Sequence, residues 1–505
     1  MCARLTPQTP PKSRWGAEVL AFAVDTVRAN APLAIVMLLL GGAGVSFALG
    51  VFRASWAAAS LAALGALAVA IDLAVRVLVQ HEALPAPLAG LSSDGAGVFC
   101  VLVLTLAAAL TVLGGAATIR SDHGAAGAVA LALALVSASG WCAALLARDW
   151  VVMVIGAEAG WLSGAGLIAL SGERERGALN GALRMLAAGG AGAAFMLIGV
   201  GLIGAGAGDL NVATLSALET QAPASVAVGV VLVLVSLAIK AGVAPLHAWT
   251  GAALGRAGSF AALSVGAVSM VGAMALIARV SAHAVATPDV GDGVTLVLAA
   301  LGAASVAIGS VQAIGAQTLP RLAGYALGAQ AGCVLITLAL GSPAALAAAL
   351  LQVLAACASA LALLGGAAGG GDTRAFSALD GLSRRAPMAA AAMAAGALGL
   401  ISAPLTLGFL GRWRMIETAV GVGWWWAALA AIGASLAGVF YGGRLIERVY
   451  FRRAGDVSDA QPPAWGLTLA PLLLIAIALN ALGVDPAILL RAAAHAAALT
   501  SAGAP

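Results

Sequence analysis

Charge is what this chain has least of. Only 9% of its 505 residues are Asp, Glu, Lys or Arg, against 62% apolar, and the mean hydropathy is +1.04. A soluble domain carries about a quarter charged residues, so there is too little polar surface here to face water on all sides. Lysine is almost missing: Lys12 and Lys240 are the only two. The remaining basic residues are arginines and a few histidines, spread thinly to a net charge of +4. That dispersion argues against a nucleic-acid partner and against a polybasic lipid anchor. The five cysteines (Cys2, Cys100, Cys142, Cys333, Cys357) stand apart, with neither CxxC nor metal-ligand spacing. They read as small packing residues and not as a disulfide frame. No nucleotide loop, metal cluster or nucleophile–base arrangement is present, so no catalytic site or cofactor is expected within the chain itself.

What is abundant is long apolar sequence. Runs fall near 31–53, 55–80, 97–119, 125–146, 150–171, 181–205, 224–248, 258–283, 293–315, 322–341, 343–366, 386–411, 421–446 and 466–491. Crossing the hydrocarbon core takes roughly 20 apolar residues as a helix. Backbone groups in lipid must bond internally, and the period-2 alternation of a membrane barrel is absent. The spacing therefore predicts an all-α integral membrane protein with about fourteen transmembrane helices. The opening residues do not form a signal peptide, since Asp25 and Arg28 interrupt the apolar stretch ahead of a run long enough to span; they read as a polar tail with an interfacial turn. The more polar connections at 171–180, 369–387 and 444–463 follow odd-numbered spans, and their arginines place that side in the cytoplasm by the positive-inside bias, with both termini outside.

Two spans carry prolines at corresponding places. The seventh reads "SLAIKAGVAPLHAW" with Pro245, and the twelfth reads "LISAPLTLGFLGRW" with Pro404. A proline inside a span removes an intrahelical hydrogen bond, and paired interruptions five spans apart are the trace of inverted repeats around a midplane site. The expected organisation is a tail (1–30), three helices (31–120), a first five-helix repeat (121–285), a second (286–450), and a loop, last helix and tail (451–505).

Ionisable groups inside spans are costly and mark function by default. Glu158 sits mid-span in "DWVVMVIGAEAGWLSGAGLIAL", and Lys240 late in the seventh span. Burial disfavours the charged form of a lysine while a nearby carboxylate favours it, so a Lys–Glu pair whose separation changes loads and releases a proton. Arg412 closes the apolar half of the twelfth span; a guanidinium biases a proton's energy but does not carry the proton. The bland reading of Arg412 is an interfacial anchor beside Trp413 and Arg414. His247 lies just past the helix break and titrates near neutrality, with a purely structural hydrogen bond as the alternative. Arg184 either pairs with Glu158 or marks a helix start. Asp72 and Arg76 read as an ordinary i,i+4 pair near a span end.

The segments "KAGVAPLHAW", "GERERGALNGALRML" and "APLTLGFLGRW" followed by "VGVGWWW" resemble the antiporter-like membrane subunits of respiratory complex I, the N type in particular. The likeness covers spans four to thirteen. It implies a fourteen-helix fold with two inverted five-helix repeats, other membrane subunits as partners, a bacterial-type inner membrane, and proton movement while quinone is reduced elsewhere. Quinone and NADH are implied for the assembly only. By position, Glu158 matches the family's fifth-helix glutamate, Lys240 its seventh-helix lysine, and Arg412 the slot of a twelfth-helix lysine. Several positions depart from the pattern. Met270 stands where the eighth helix has a lysine. "TLPR" keeps only Arg321, and Ala356 and Ala360 replace polar groups in the eleventh span, leaving Gln352. Three functions follow: a proton-translocating subunit, a stand-alone or Mrp-like cation/proton antiporter, and a homologue that packs but no longer conducts.

Overall fold

The computed structural model describes residues 30–51, 56–80, 90–92, 94–122, 126–171, 177–217, 222–287, 289–370, 375–453 and 469–501. The N-terminal tail with Lys12 and Cys2 lies outside them. The described residues form helices and short connections, with three isolated bridges in place of any sheet. Three helices lead: α1 (Ala31–Val51), α2 (Trp56–Gln80) and α3 (Gly95–Asp122). Next come α4 (Gly127–Leu145), α5 (Trp150–Leu170), α6 (Ala178–Ala207), α7a (Ala224–Ala241), α7b (Thr250–Leu254) and α8 (Ser259–Ala284). Then follow α9 (Gly291–Gly315), α10 (Leu319–Leu338), α11 (Pro343–Gly369), α12a (Pro387–Ile401), α12b (Leu407–Gly421) and α13 (Trp425–Phe451). The last crossing is α14a (Leu469–Ala481) and α14b (Ala487–Ser501).

Among the described residues, twelve helices are individually long and apolar enough to cross a membrane. The twelfth and fourteenth crossings are each made of two shorter pieces, which brings the count to the fourteen expected. Packing repeats with the same offset. Helix α4 packs on α5, α5 on α6 and α6 on α7a; five crossings later α9 packs on α10, α10 on α11 and α11 on both halves of α12. An odd number of crossings per repeat necessarily inverts the second relative to the first.

Small residues set the closest approaches. A Cβ on Gly140 of α4 would lie 2.6 Å from the Gly156 carbonyl oxygen of α5. The equivalent pair in the second repeat, Gly302 of α9 and Gly332 of α10, leaves 2.8 Å. In lipid no hydrophobic drive holds helices together, so contact of this kind supplies the dispersion energy instead. Outward-facing side chains such as Leu183, Leu197, Leu296, Val311 and Leu429 are apolar and exposed, as a lipid-facing surface requires. Cys100, Cys142, Cys333 and Cys357 are free and buried, in keeping with a packing role.

Three boundaries differ from expectation. The seventh helix does not fill its apolar run to 248 but stops at Ala241. The twelfth runs on past 411 to Gly421. The fourteenth is not one span with a tail: it breaks over residues 482–486, where Gly483 and Pro486 interrupt the helical hydrogen bonding, and it resumes to Ser501.

Candidate functional site

Helix α7a is a run of Val, Leu and Ile that ends in a left-handed glycine cap. Gly242 has φ +73, its N–H bonds toward Ile239 O, and Val243 N–H donates 2.9 Å to Ala238 O. This is a Schellman-type closure, and Pro245 prevents resumption. The unwound segment is held from the second repeat: Ala244 N–H donates to Ser305 Oγ (3.0 Å), whose hydroxyl donates to Gly328 O (2.8 Å). Lys240 therefore occupies the last turn of a half-helix, where exposed carbonyls favour a cation.

Lys240 is fully buried, and its Nζ lies 2.9 Å from Glu158 Oε1. Neither atom has a fully aligned hydrogen bond, so the contact is an ion pair set by distance. The ammonium also sits 4.9 Å from the Trp161 ring centroid, a favourable placement over a π face. Trp161 is fixed by its Nε1–H to Met185 O (3.2 Å) and by an edge-on contact with Trp249 at 4.8 Å. Trp249 in turn donates to Ile239 O at 2.8 Å, in the turn that carries Lys240. Gly189 opens the space: a Cβ there would overlap the Trp161 indole. The pair is lopsided. Lys240 is sealed, whereas Glu158 keeps 20% of its side chain exposed on the outer face of α5, beside exposed Ile155 and Leu162.

The other sequence-predicted residues lie elsewhere. His247 Nε2 pairs with Gln312 Oε1 and stands edge-on to Tyr325 at 6.0 Å; its contacts are with the second repeat and not with Lys240 or Glu158. Arg184 donates to Asn180 Oδ1 one turn away and lies near the start of α6, which is the second of its two readings, a helix start and not a partner of Glu158. Arg321 donates to Gly251 O at 3.2 Å, tying α10 to α7b. Asp72 and Arg76 form the ordinary exposed i,i+4 pair, 2.7 Å apart.

Arg412 is buried inside the bundle, at 4% exposure. It donates to Ser435 Oγ (2.7 Å), to Gln330 Oε1 (2.7 Å) and, at 3.5 Å, to Ile401 O, the last carbonyl of α12a. Gln330 closes the bracket by donating to Leu400 O (2.8 Å). Gln352 bridges Thr337 Oγ1 (2.9 Å) and Gly411 O (3.2 Å). Here too a cation sits at the carbonyl end of a half-helix. The break itself is made by Ser402 and Leu405, both at positive φ and flanking Pro404.

Between the two breaks Met270, Ala356 and Ala360 are buried and apolar. Met270 ends a π-helical segment, Val265–Met270, inside α8. π-helical turns inside longer helices are frequent at functional positions. Beside it Ser269 meets Ser137 of α4 at 3.2 Å, and Ser137 donates to Gly160 O at 2.9 Å. The sequence reading missed Gln312, Gln330, Ser137 and Ser269, which are single neutral polar residues in apolar runs with no local signal. It also missed Asp94, whose place before α3 in "LSSDGAG" is a readable N-cap: Oδ1 accepts from Gly97 N–H at 2.7 Å. Among the described residues no three His, Cys, Asp or Glu side chains converge as metal ligands.

Residues 147–438 match the family described as NADH:quinone oxidoreductase/Mrp antiporter, TM. The chain is 31% identical over 433 residues to NADH-quinone oxidoreductase subunit N of Rhodopseudomonas palustris, covering 85% of this chain and 89% of that one. It is 34% identical over 286 residues to the subunit of the same name in Cereibacter sphaeroides, covering 56% of this chain and 62% of the relative. Among solved structures, a chain of respiratory complex I from Thermus thermophilus superposes with a TM-score of 0.74 at 25% identity, covering 90% of this chain and 98% of that one. A chain of the Mrp complex from Dietzia sp. DQ12-45-1b gives 0.80 at 22% identity, covering 94% and 98%, a likeness of fold.

Proposed function

The chain belongs to the NADH:quinone oxidoreductase/Mrp antiporter family of membrane subunits, and from that premise we propose that it is the N-type subunit of a complex I-like NADH:quinone oxidoreductase. In this reading it moves protons at Glu158–Lys240 while quinone is reduced elsewhere in the assembly. It is a multi-pass membrane protein whose partners are other membrane subunits; a bacterial inner membrane is the location its relatives support. The observation that carries the proton role is the sealed Lys240 ammonium 2.9 Å from a carboxylate that reaches the outer face of α5.

The chemistry follows from charge compensation. With Glu158 beside it, the ammonium's charge is balanced in a place where water does not balance it. If the carboxylate moves away or is neutralised, a lone charge remains in apolar surroundings at a cost of several kcal/mol. Shedding the proton removes that charge. A conformational or electrostatic signal that alters the Glu158–Lys240 separation therefore alternates Lys240 between proton-holding and proton-releasing states. Met270 offers no titratable group, so onward transfer runs through water and hydroxyls, with the Ser137–Ser269 pair as the polar contact at that depth. The Mrp-type reading uses the same pair without redox coupling; the fold match accommodates it, but the sequence relatives named above are subunits of the NADH-quinone enzyme.

The direct test is Glu158→Gln in vesicles holding the whole complex. The carboxamide keeps shape and hydrogen bonding but neither takes up nor releases a proton in this range. Proton uptake per NADH oxidised should fall, with subunit content unchanged. A parental ratio in a fully assembled Glu158→Gln complex rejects the proton role and favours the packing-only reading.

A further inference from the structure

A guanidinium buried to 96% is ordinarily matched by a carboxylate. Arg412 is not. Its partners are the Ser435 hydroxyl, the Gln330 carboxamide oxygen and the Ile401 carbonyl, with the Cys333 thiol alongside. All are neutral, and among the described residues no acid forms an ion pair with it. These groups satisfy donors without cancelling charge, so a full positive charge persists at the break in α12. Arginine keeps that charge at every cellular pH.

The same break offers acceptors. Ser402 Oγ and Gln352 Oε1 are buried and make no hydrogen bond. Helix α14 brings a third polar group alongside: Asn480 packs over Gly399 and donates to Ala358 O at 3.2 Å, and Ser359 Oγ donates to Asn480 Oδ1 at 3.4 Å. A polar, interrupted stretch in mid-span, lined with spare oxygens, is a natural place for water and a hydrated proton to enter. A fixed guanidinium is the means by which a pore lined in this way excludes protons and cations.

We propose that the break in helix 12 is an electrostatic barrier: Arg412, with Gln330 as its positioning residue, holds an uncompensated positive charge that stops protons and metal cations from leaking across the second repeat. Gln330 does the positioning because it grips both halves of the helix, accepting from Arg412 on α12b and donating to Leu400 O on α12a. The second repeat then differs in kind from the first. The first has an amine that changes its proton load, whereas the second has a charge that never does. The proposal rests on the reading that protons enter this subunit at Glu158–Lys240.

The test is passive proton leak, measured with the intact complex in proteoliposomes and no NADH present. A pH step is imposed and its decay is followed with an internal pH dye. Arg412→Gln deletes the charge; Gln330→Glu cancels it with a carboxylate while keeping a partner for the guanidinium. Both should speed the decay by roughly tenfold, the scale of one unit charge felt about 12 Å away through an effective dielectric of ~20. Ser435→Ala, which removes one neutral partner and keeps the guanidinium charge, should stay near the parent. Parental leak in both charge-cancelling variants overturns the barrier, and Gln330→Glu decides alone if Arg412→Gln does not assemble. A leak in Ser435→Ala as large as in Arg412→Gln also overturns it, because packing and not charge would then be the seal. Leak is read without turnover and the Glu158→Gln ratio during turnover, so each idea fails on its own measurement.

Discussion

Lys240→Met should yield an assembled complex that still oxidises NADH but has lost the protons carried by this subunit. Methionine matches the lysine stem in length and suits a fully buried site packed against Trp161, so folding is spared. What goes is the only lysine among the described residues, Lys12 being the sole other one in the sequence. Deleting a positioned proton-transfer group slows transfer by about 10²- to 10⁴-fold, which on the time of one turnover is complete loss. The readout is the proton-to-electron ratio in sealed vesicles, with subunit stoichiometry measured alongside. Without the ammonium, Glu158 can hold a proton and stay neutral instead of leaving a lone charge, so a collapse of assembly is not expected. An unchanged ratio would remove Lys240 from the pathway.

Asp94→Ala should be the most destabilising single substitution outside that pair. Asp94 caps α3, and its Oδ2 lies 2.5 Å from Arg279 Nε of α8, which also donates to Ser92 Oγ at 3.1 Å. Arg279 is 2% exposed. Removing the carboxylate leaves a guanidinium buried and unpaired, a loss of about 3–5 kcal/mol. Replacing both partners with apolar residues (Asp94→Leu with Arg279→Met) should recover much of it, because the desolvation penalty then disappears. Burial pushes the Asp94 carboxyl up, but Arg279, His283 and the Gly97 N–H together hold it below the ordinary carboxylate value. A depressed folded-state value contributes stability above the unfolded value, about 4, and that stability is lost as pH falls through the folded one. The parent should therefore lose stability on acidification below about pH 4 by this route, while Asp94→Ala, already without it, shows a flatter acid limb. Thermal unfolding of the purified complex across pH checks both statements.

The architecture was largely legible because lipid leaves few options: length and apolarity specify helices, and prolines in corresponding spans mark the breaks. The Glu158–Lys240 pair was legible for the same reason, since a charge in an apolar run has to meet its opposite. The depth of Arg412 was not. Its neighbours Trp413 and Arg414 suggested an interface, but the helix continues to Gly421 and turns Arg412 inward while Arg414 pairs with Glu417 on the outside. The neutral polar partners were illegible: Gln330, Gln312 and Ser269 gain meaning only from what faces them across the bundle. The break in α14 was signalled by Gly483 and Pro486, yet apolar sequence on both sides disguised it as one span and a tail.

The central claim is that Glu158 and Lys240 exchange a proton during turnover, and infrared difference spectroscopy of the whole complex, oxidised against NADH-reduced, addresses it most directly. A carboxylic-acid C=O band should appear or vanish between the two states, be missing in Glu158→Gln, and be lost or displaced in Lys240→Met. A difference spectrum in the carboxyl region identical to the parent in both variants would contradict it.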